Sequence, residues 1–161
     1  MDAKTQTRLR TLFDQLPTPN LILEIGSGRD PGSLFYYPDV PTCAVDLDAV
    51  ALQSARKTNP HSCFFPIAGD AARLPLRADF DLILVRHPDV DKWPDRWVGV
   101  WAALATRRYG ILIVTTYGVH EMTTIRSSLG RYANFPLRYE RLAAVPLSGA
   151  DRYVWVGIKE K

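Results

Sequence analysis

Cysteine and histidine are scarce in this chain, and long apolar runs are missing. With two cysteines and three histidines among 161 residues, there is no disulfide framework to read. Neither Cys43 nor Cys63 has a Cys or His at a metal-ligand spacing, so no metal site is expected. Both cysteines fall in predicted strands and read as buried thiols of a reducing compartment. No apolar stretch approaches the roughly 20 residues that span a bilayer, so no membrane contact is expected. Met1-Asp2-Ala3-Lys4-Thr5-Gln6 lacks a charged-then-apolar signal pattern, and a cytoplasmic location is expected. Internal repeats, low-complexity tracts and linkers are also lacking. What remains is an ordinary globular composition, 47% hydrophobic and 23% charged, long enough for one well-packed domain. The net charge of +3 is compatible with an RNA partner but equally with many small enzymes.

Helix-like and strand-like segments alternate along the whole chain. Leu9, Leu12, Phe13 and Leu16 recur at helical spacing before Pro17, giving an N-terminal helix within residues 1–19. Strands are predicted at 21–25, 42–46, 62–66, 81–85 and 111–115. Between them lie a short helix after Asp30, a helix over 49–57 capped by Asp48, and a helix opened by Pro94 and closed by Gly110. Trp97, Val100, Trp101 and Leu104 share one face of that last helix and read as packing residues. A helix over 119–129 precedes two strands, 137–145 and 152–158, joined by residues 146–151 as an antiparallel pair. The fold class is therefore α/β: a doubly wound, Rossmann-like, mostly parallel seven-stranded sheet with a C-terminal antiparallel hairpin. Residues 1–161 form a single domain, with 20–158 as core and the N-terminal helix as candidate lid.

Leu21-Ile22-Leu23-Glu24-Ile25-Gly26-Ser27-Gly28 is the most informative stretch. An apolar strand runs into an acid and two alternate glycines, the pattern of a turn where backbone passes close to a ligand. In open α/β sheets ligands sit at the carboxyl ends of strands. The acid makes a pyrophosphate a poor neighbour and favours a cationic or hydroxyl-rich ligand end. Three further segments follow in order: Ala44-Val45-Asp46-Leu47-Asp48, Gly69-Asp70-Ala71-Ala72-Arg73-Leu74-Pro75, and Phe80-Asp81-Leu82-Ile83-Leu84-Val85.

With these motifs in this order, the chain resembles the class I S-adenosylmethionine-dependent methyltransferases over residues 20–158. The resemblance implies a transferase (EC 2.1.1.-) with S-adenosyl-L-methionine as cofactor. It implies that Gly26, Ser27 and Gly28 approach the cofactor's methionine and ribose, that Glu24 helps orient the methionine ammonium, and that Asp46, beside Leu47, accepts the ribose hydroxyls. Asp70 would accept from the adenine amino group, and the Ala71 amide would meet a ring nitrogen. Arg86 would line the pocket through its backbone. Plainer readings exist: Asp46 as a helix cap and Asp70 as a turn residue. The family pattern has a third glycine where this chain has Asp30, which puts an extra carboxylate near the pocket.

On the acceptor side, the loop Arg86-His87-Pro88-Asp89-Val90-Asp91-Lys92-Trp93-Pro94 carries His87 as candidate general base and Asp89 to orient it or the acceptor. Tyr117 and His120 open on the same edge; His61 lies at the far end and reads as surface. Pro88-Asp89 followed by Trp93 resembles the Pro-Asp-Pro-Trp segment of 7-methylguanosine tRNA methyltransferases, which names RNA as one acceptor class beside small molecules and proteins. With no separate substrate domain, a homodimer or partner subunit would complete the acceptor site. A non-catalytic cofactor-binding subunit and an NAD-dependent oxidoreductase are the competing readings. Against the latter, Gly26-x-Gly28-x-x-x-Gly32 is not Gly-x-Gly-x-x-Gly.

Overall fold

The computed structural model describes residues 10–11, 13–60, 63–74, 79–106, 109–130, 137–144 and 153–159. Its strands are β1 (Ile22–Ile25), β2 (Thr42–Asp46), β3 (Phe64–Ala68), β4 (Phe80–Arg86), β5 (Tyr109–Thr116), β6 (Leu137–Ala144) and β7 (Tyr153–Lys159). The chain is helical at residues 10–11 and 13–14 (α1), then in α2 (Gly32–Tyr36), α3 (Ala49–Thr58), α4 (Pro94–Ala105) and α5 (Val119–Gly130). One sheet forms in the order β3-β2-β1-β4-β5-β7-β6. β3, β2, β1, β4 and β5 run parallel, and β7 lies antiparallel between β5 and β6. The two C-terminal strands thus pair as read from the sequence, and the second of them docks on β5. Strand order reverses between β1 and β4, so the crevice of this sheet opens at their carboxyl ends.

Strand alternation divides the core between the two faces. Leu23, Ile25, Ile83, Val85, Leu112 and Val114 pack with Val100, Trp101 and Leu104 of α4 and Met122, Ile125 and Leu129 of α5. On the other face Ile22, Leu82, Leu84, Ile111 and Ile113 pack with Phe13, while Ala44 and Phe64 meet Leu52 and Ala55 of α3. Glu24 shares the parity of Ile22, which turns its side chain to the α1–α3 face.

Several sequence expectations need correction. The third strand runs Phe64–Ala68 rather than 62–66. Pro66 does not end it because β3 is an edge strand, where a missing amide is tolerated. α4 stops at Ala105, where the Thr106 hydroxyl donates to Ala103 O at 2.9 Å. Gly110, read as the helix stop, lies inside β5. Cys63 is exposed, not buried, because it precedes the edge strand; Cys43 is half-buried, and burial pushes its thiol up. Of the N-terminal helix, the candidate lid, the described part rests on the sheet: Phe13 is buried, stacks on Tyr36 at 4.0 Å, and its carbonyl accepts from the Tyr37 hydroxyl. His61 and the 146–151 link lie outside the described residues. No described helix is long and apolar enough to cross a membrane.

Candidate functional site

The turn after β1 is built on two left-handed glycines, Gly26 at φ 73° and Gly28 at φ 59°. They do different jobs. A Cβ on Gly26 would stand 2.9 Å from the backbone oxygen of Arg86, whereas one on Gly28 would meet nothing within 4 Å. Gly26 therefore lets β1 and β4 close on each other, and Gly28 presents backbone to open space. Asp30, where the related pattern has glycine, does not have a positive φ: His87 is the one described non-glycine residue that does. A side chain at position 30 thus costs no backbone strain. Gly26→Ala is expected to lower the melting temperature well beyond the ~1 kcal/mol of left-handed strain alone, because backbone must move. Gly28→Ala should cost only about that strain and act mainly on ligand affinity. Thermal melts and ligand titration of the two variants separate these effects.

Glu24 is fully buried and is not in the cavity. Its carboxylate accepts from Gly32 N at 2.8 Å, from Ser33 N at 3.0 Å and from the Ser33 hydroxyl, and it lies 3.8 Å from Arg86 Nη1. Burial pushes its pKa up, against the lowering pull of Arg86 and of those donors. The same Arg86 nitrogen donates to Asp30 O at 2.5 Å. Glu24, Arg86 and the amides opening α2 therefore brace the turn from behind. Any influence of Glu24 on a ligand passes through this brace.

A cavity of about 490 Å³ opens at the carboxyl ends of β1, β2 and β4 and is lined by Gly26, Ser27, Gly28, Asp46, Leu47, Arg86, His87 and Asp89, among others. Asp46 ends β2 with both oxygens engaged: Oδ2 accepts from Gly28 N and Oδ1 from Asp48 N, each at 2.9 Å. The cap of α3 is Asp48, which accepts from Val50 N and Ala51 N. Asp46 is thus not the helix cap. Ser27 Oγ is buried with no hydrogen-bond partner among the described residues. A slot of about 90 Å³ adjoins the cavity, sharing Gly26, Asp46 and Leu47 and adding Gly69, Asp70, Ala71 and Val100. Asp70 Oδ1 accepts from Ala72 N at 3.0 Å, the turn role considered for it, while Oδ2 lies 4.0 Å from Arg96 Nε.

His87 sits opposite, where β4 leaves the sheet. Its N–H donates to Thr115 O at 2.9 Å, its φ is 45°, and its ring stacks on Tyr117 at 4.0 Å. Tyr117 and Trp93 both line the cavity and are about half exposed. Gly26, Ser27, Gly28, Asp46, Leu47, Arg86, His87, Asp89 and Tyr117 of the sequence candidates line the larger cavity, and Asp70 and Ala71 line the slot. His120 does not line either; it lies 3.6 Å from Asp91. Sequence reasoning missed Arg29 and Arg96, and it favoured packing over base stacking for Trp97. Trp97 lines both cavities. Its placement four residues after Trp93, at the N-terminal end of α4, was the available signal. No group of three or more His, Cys, Asp or Glu among the described residues is placed to hold a metal ion.

No protein-family model matches the sequence, and no curated protein sequence matches it. Solved structures do. The N-methyltransferase NodS from Bradyrhizobium japonicum WM9 superposes with a TM-score of 0.75 at 15% identity, over 99% of this chain and 100% of that one. The glycopeptide N-methyltransferase MtfA, solved with S-adenosyl-L-homocysteine, gives 0.74 at 11% identity over 99% and 91%. The ribosomal protein L11 methylase from Lactobacillus delbrueckii subsp. bulgaricus gives 0.70 at 14% identity over 100% and 81%. The chain has the class I methyltransferase fold. That likeness concerns the fold; the chemistry rests on the site.

Proposed function

We propose that this protein is an S-adenosylmethionine-dependent methyltransferase whose acceptor approaches beside His87. The observation that carries the reading is where the turn amides go. In a dinucleotide-binding fold the pyrophosphate takes the free N–H groups of the turn and of the following helix N-terminus. Here Gly28 N donates to Asp46, and Gly32 N and Ser33 N donate to Glu24. The donors are spent on carboxylates, while the charges of the cavity lining balance, Asp30, Asp46 and Asp89 against Arg29, Arg86 and Arg96. A hydroxyl-bearing ribose fits the Asp46 carboxylate, and a pyrophosphate finds none of these three amides free.

The cofactor supplies, when bound, an electrophilic methyl group on a sulfonium. The residues do the holding. Gly28 leaves room at the turn, and Ser27 Oγ awaits a partner. The lone pairs of Asp46 not used by Gly28 N and Asp48 N suit a vicinal diol. Asp70 and Ala71 offer an acceptor and an amide to the adenine edge in the slot. His87 is the general base for an acceptor that must lose a proton, and Asp89 lines the same wall. A left-handed histidine costs on the order of 1–2 kcal/mol, which its Tyr117 stack partly offsets. His87→Gly is therefore expected to change stability by less than about 1 kcal/mol in urea unfolding, leave S-adenosylhomocysteine affinity unchanged, and lower turnover about a hundredfold or more. Equal turnover would remove the base role.

An RNA acceptor is the second reading. Trp93 is half exposed, with Arg96 at 5.3 Å and Lys92 at 5.8 Å from its ring, the mixture of aromatic and cationic groups that stacks bases. Protein and small-molecule acceptors, and a second subunit completing the site, stay within the proposal.

The test is a thermal-shift comparison. For a ligand at about a hundred times its Kd, stabilisation is ~2.7 kcal/mol, or roughly 5–10 °C for a domain of this size. S-adenosylhomocysteine should produce it and NAD should not. The reverse pattern would transfer the fold to redox chemistry.

A further inference from the structure

Arg29 and Asp30 are consecutive, exposed and part of the cavity lining at the carboxyl ends of β1, β2 and β4. Most other charges of that lining are engaged. Arg86 lies beside Glu24 and donates to Asp30 O, Asp46 accepts from Gly28 N and Asp48 N, and Arg96 lies by Asp70 and over Trp93. The Arg29 guanidinium and the Asp30 carboxylate have no hydrogen bond or ion pair among the described residues, not even with each other. Asp89, the remaining charge, comes from the loop after β4, on the His87 side.

The backbone beneath the pair is pinned. Gly28 N donates to Asp46 at 2.9 Å just before it, and Arg86 Nη1 donates to Asp30 O at 2.5 Å within it. Two opposite charges thus stand on a fixed base at the turn end of the cavity, since neither residue lines the slot of Asp70 and Ala71. An amino-acid end arriving at this turn carries a carboxylate and an ammonium, and each needs a counter-charge to leave water. Glu24 cannot serve the ammonium, because it is fully buried behind the turn. The Gly28, Gly32 and Ser33 amides cannot serve the carboxylate, because they donate to Asp46 and Glu24. What is left at the turn is the pair of side chains at 29 and 30.

We propose that Arg29 and Asp30 together read the zwitterionic end of the cofactor, an inference that rests on the S-adenosylmethionine reading above. The Arg29 guanidinium donates through its fork to the α-carboxylate, and the Asp30 carboxylate accepts from the α-ammonium. Asp30, the departure from the glycine of the related pattern, thereby takes the ammonium role that the sequence suggested for Glu24. Both are specificity residues: they sort ligands by the amino-acid end and touch no reacting atom. Because both side chains are exposed, salt screens their contribution.

Three ligands and two variants test the assignment by titration calorimetry. S-adenosylhomocysteine carries both charges, its decarboxylated analogue keeps only the ammonium, and methylthioadenosine has neither. Arg29→Ala should weaken S-adenosylhomocysteine about tenfold, the worth of one hydrogen bond to a charged group, and leave the other two ligands no weaker. Asp30→Ala should weaken S-adenosylhomocysteine and the decarboxylated analogue about tenfold by the same reasoning and leave methylthioadenosine unchanged. Both variants should keep the natural melting temperature, since neither side chain bonds to a described residue. The inference is overturned if either variant leaves S-adenosylhomocysteine affinity unchanged, if methylthioadenosine weakens equally, or if Arg29→Ala weakens the decarboxylated analogue as much as its parent. Those results would leave the cofactor reading standing. That reading fails, and this inference with it, if the natural chain binds none of the three ligands.

Discussion

Asp46→Asn should bind S-adenosylhomocysteine about a hundredfold more weakly than the natural chain, with only a modest loss of stability. The carboxylate already accepts from Gly28 N and Asp48 N, so one of these amides loses its acceptor in the variant, at a cost of ~1–2 kcal/mol. The ligand loses more. Two hydroxyls on an ionised acceptor contribute roughly 1.5–3 kcal/mol each, and losing about 3 kcal/mol of that sum is a hundredfold. Calorimetric affinity and a thermal melt on the same sample separate the two roles. If stability falls while affinity holds, Asp46 is a brace for the turn and its assignment to ribose fails.

Glu24→Ala carries the largest stability effect. The substitution removes the acceptor of Gly32 N, Ser33 N and the Ser33 hydroxyl and leaves Arg86 beside an empty pocket. Breaking a buried pair by deleting one partner costs ~3–5 kcal/mol, or on the order of 10 °C in melting temperature for a domain of this length. Glu24→Gln should fall between, since an amide presents one acceptor but turns a donor toward other donors. The two variants separate the brace from a direct ligand contact. If Glu24→Ala kept its melting temperature and lost only ligand affinity, the carboxylate would be acting in the cavity rather than behind it.

The parts of this fold that were legible in the sequence are those governed by local pattern. Leu82-Ile83-Leu84-Val85 reads as a strand covered on both faces, and it is. Asp48 reads as a cap and accepts from the two amides that a cap serves. What was less legible depends on neighbours distant in sequence. Pro66 looks like a strand end until β3 is known to be an edge. Gly110 looks like a helix stop, but the helix has already ended at Ala105 and the glycine belongs to β5. In the site, the residues singled out by spacing, Gly26, Gly28, Asp46 and Asp70, line two adjoining cavities. Spacing could not tell which way Glu24 faces, because the parity of β1 acquires meaning only once α2 is known to cover that side. Trp97 was claimed by the helical stripe it shares with Trp101, although it also reaches both cavities. Arg96, beside Asp70 and Trp93, follows no pattern in the sequence and is visible only in three dimensions.

The central claim is that the turn from Gly26 to Gly28, with Gly28 N committed to Asp46 and the Gly32 and Ser33 amides that follow it committed to Glu24, is one wall of an S-adenosylmethionine pocket. Titration calorimetry of the natural chain with S-adenosylhomocysteine tests it most directly. One saturable site per chain is predicted, with affinity that falls in Asp46→Asn and in Gly28→Ala. The absence of binding of both S-adenosylhomocysteine and S-adenosylmethionine at millimolar concentration would contradict it.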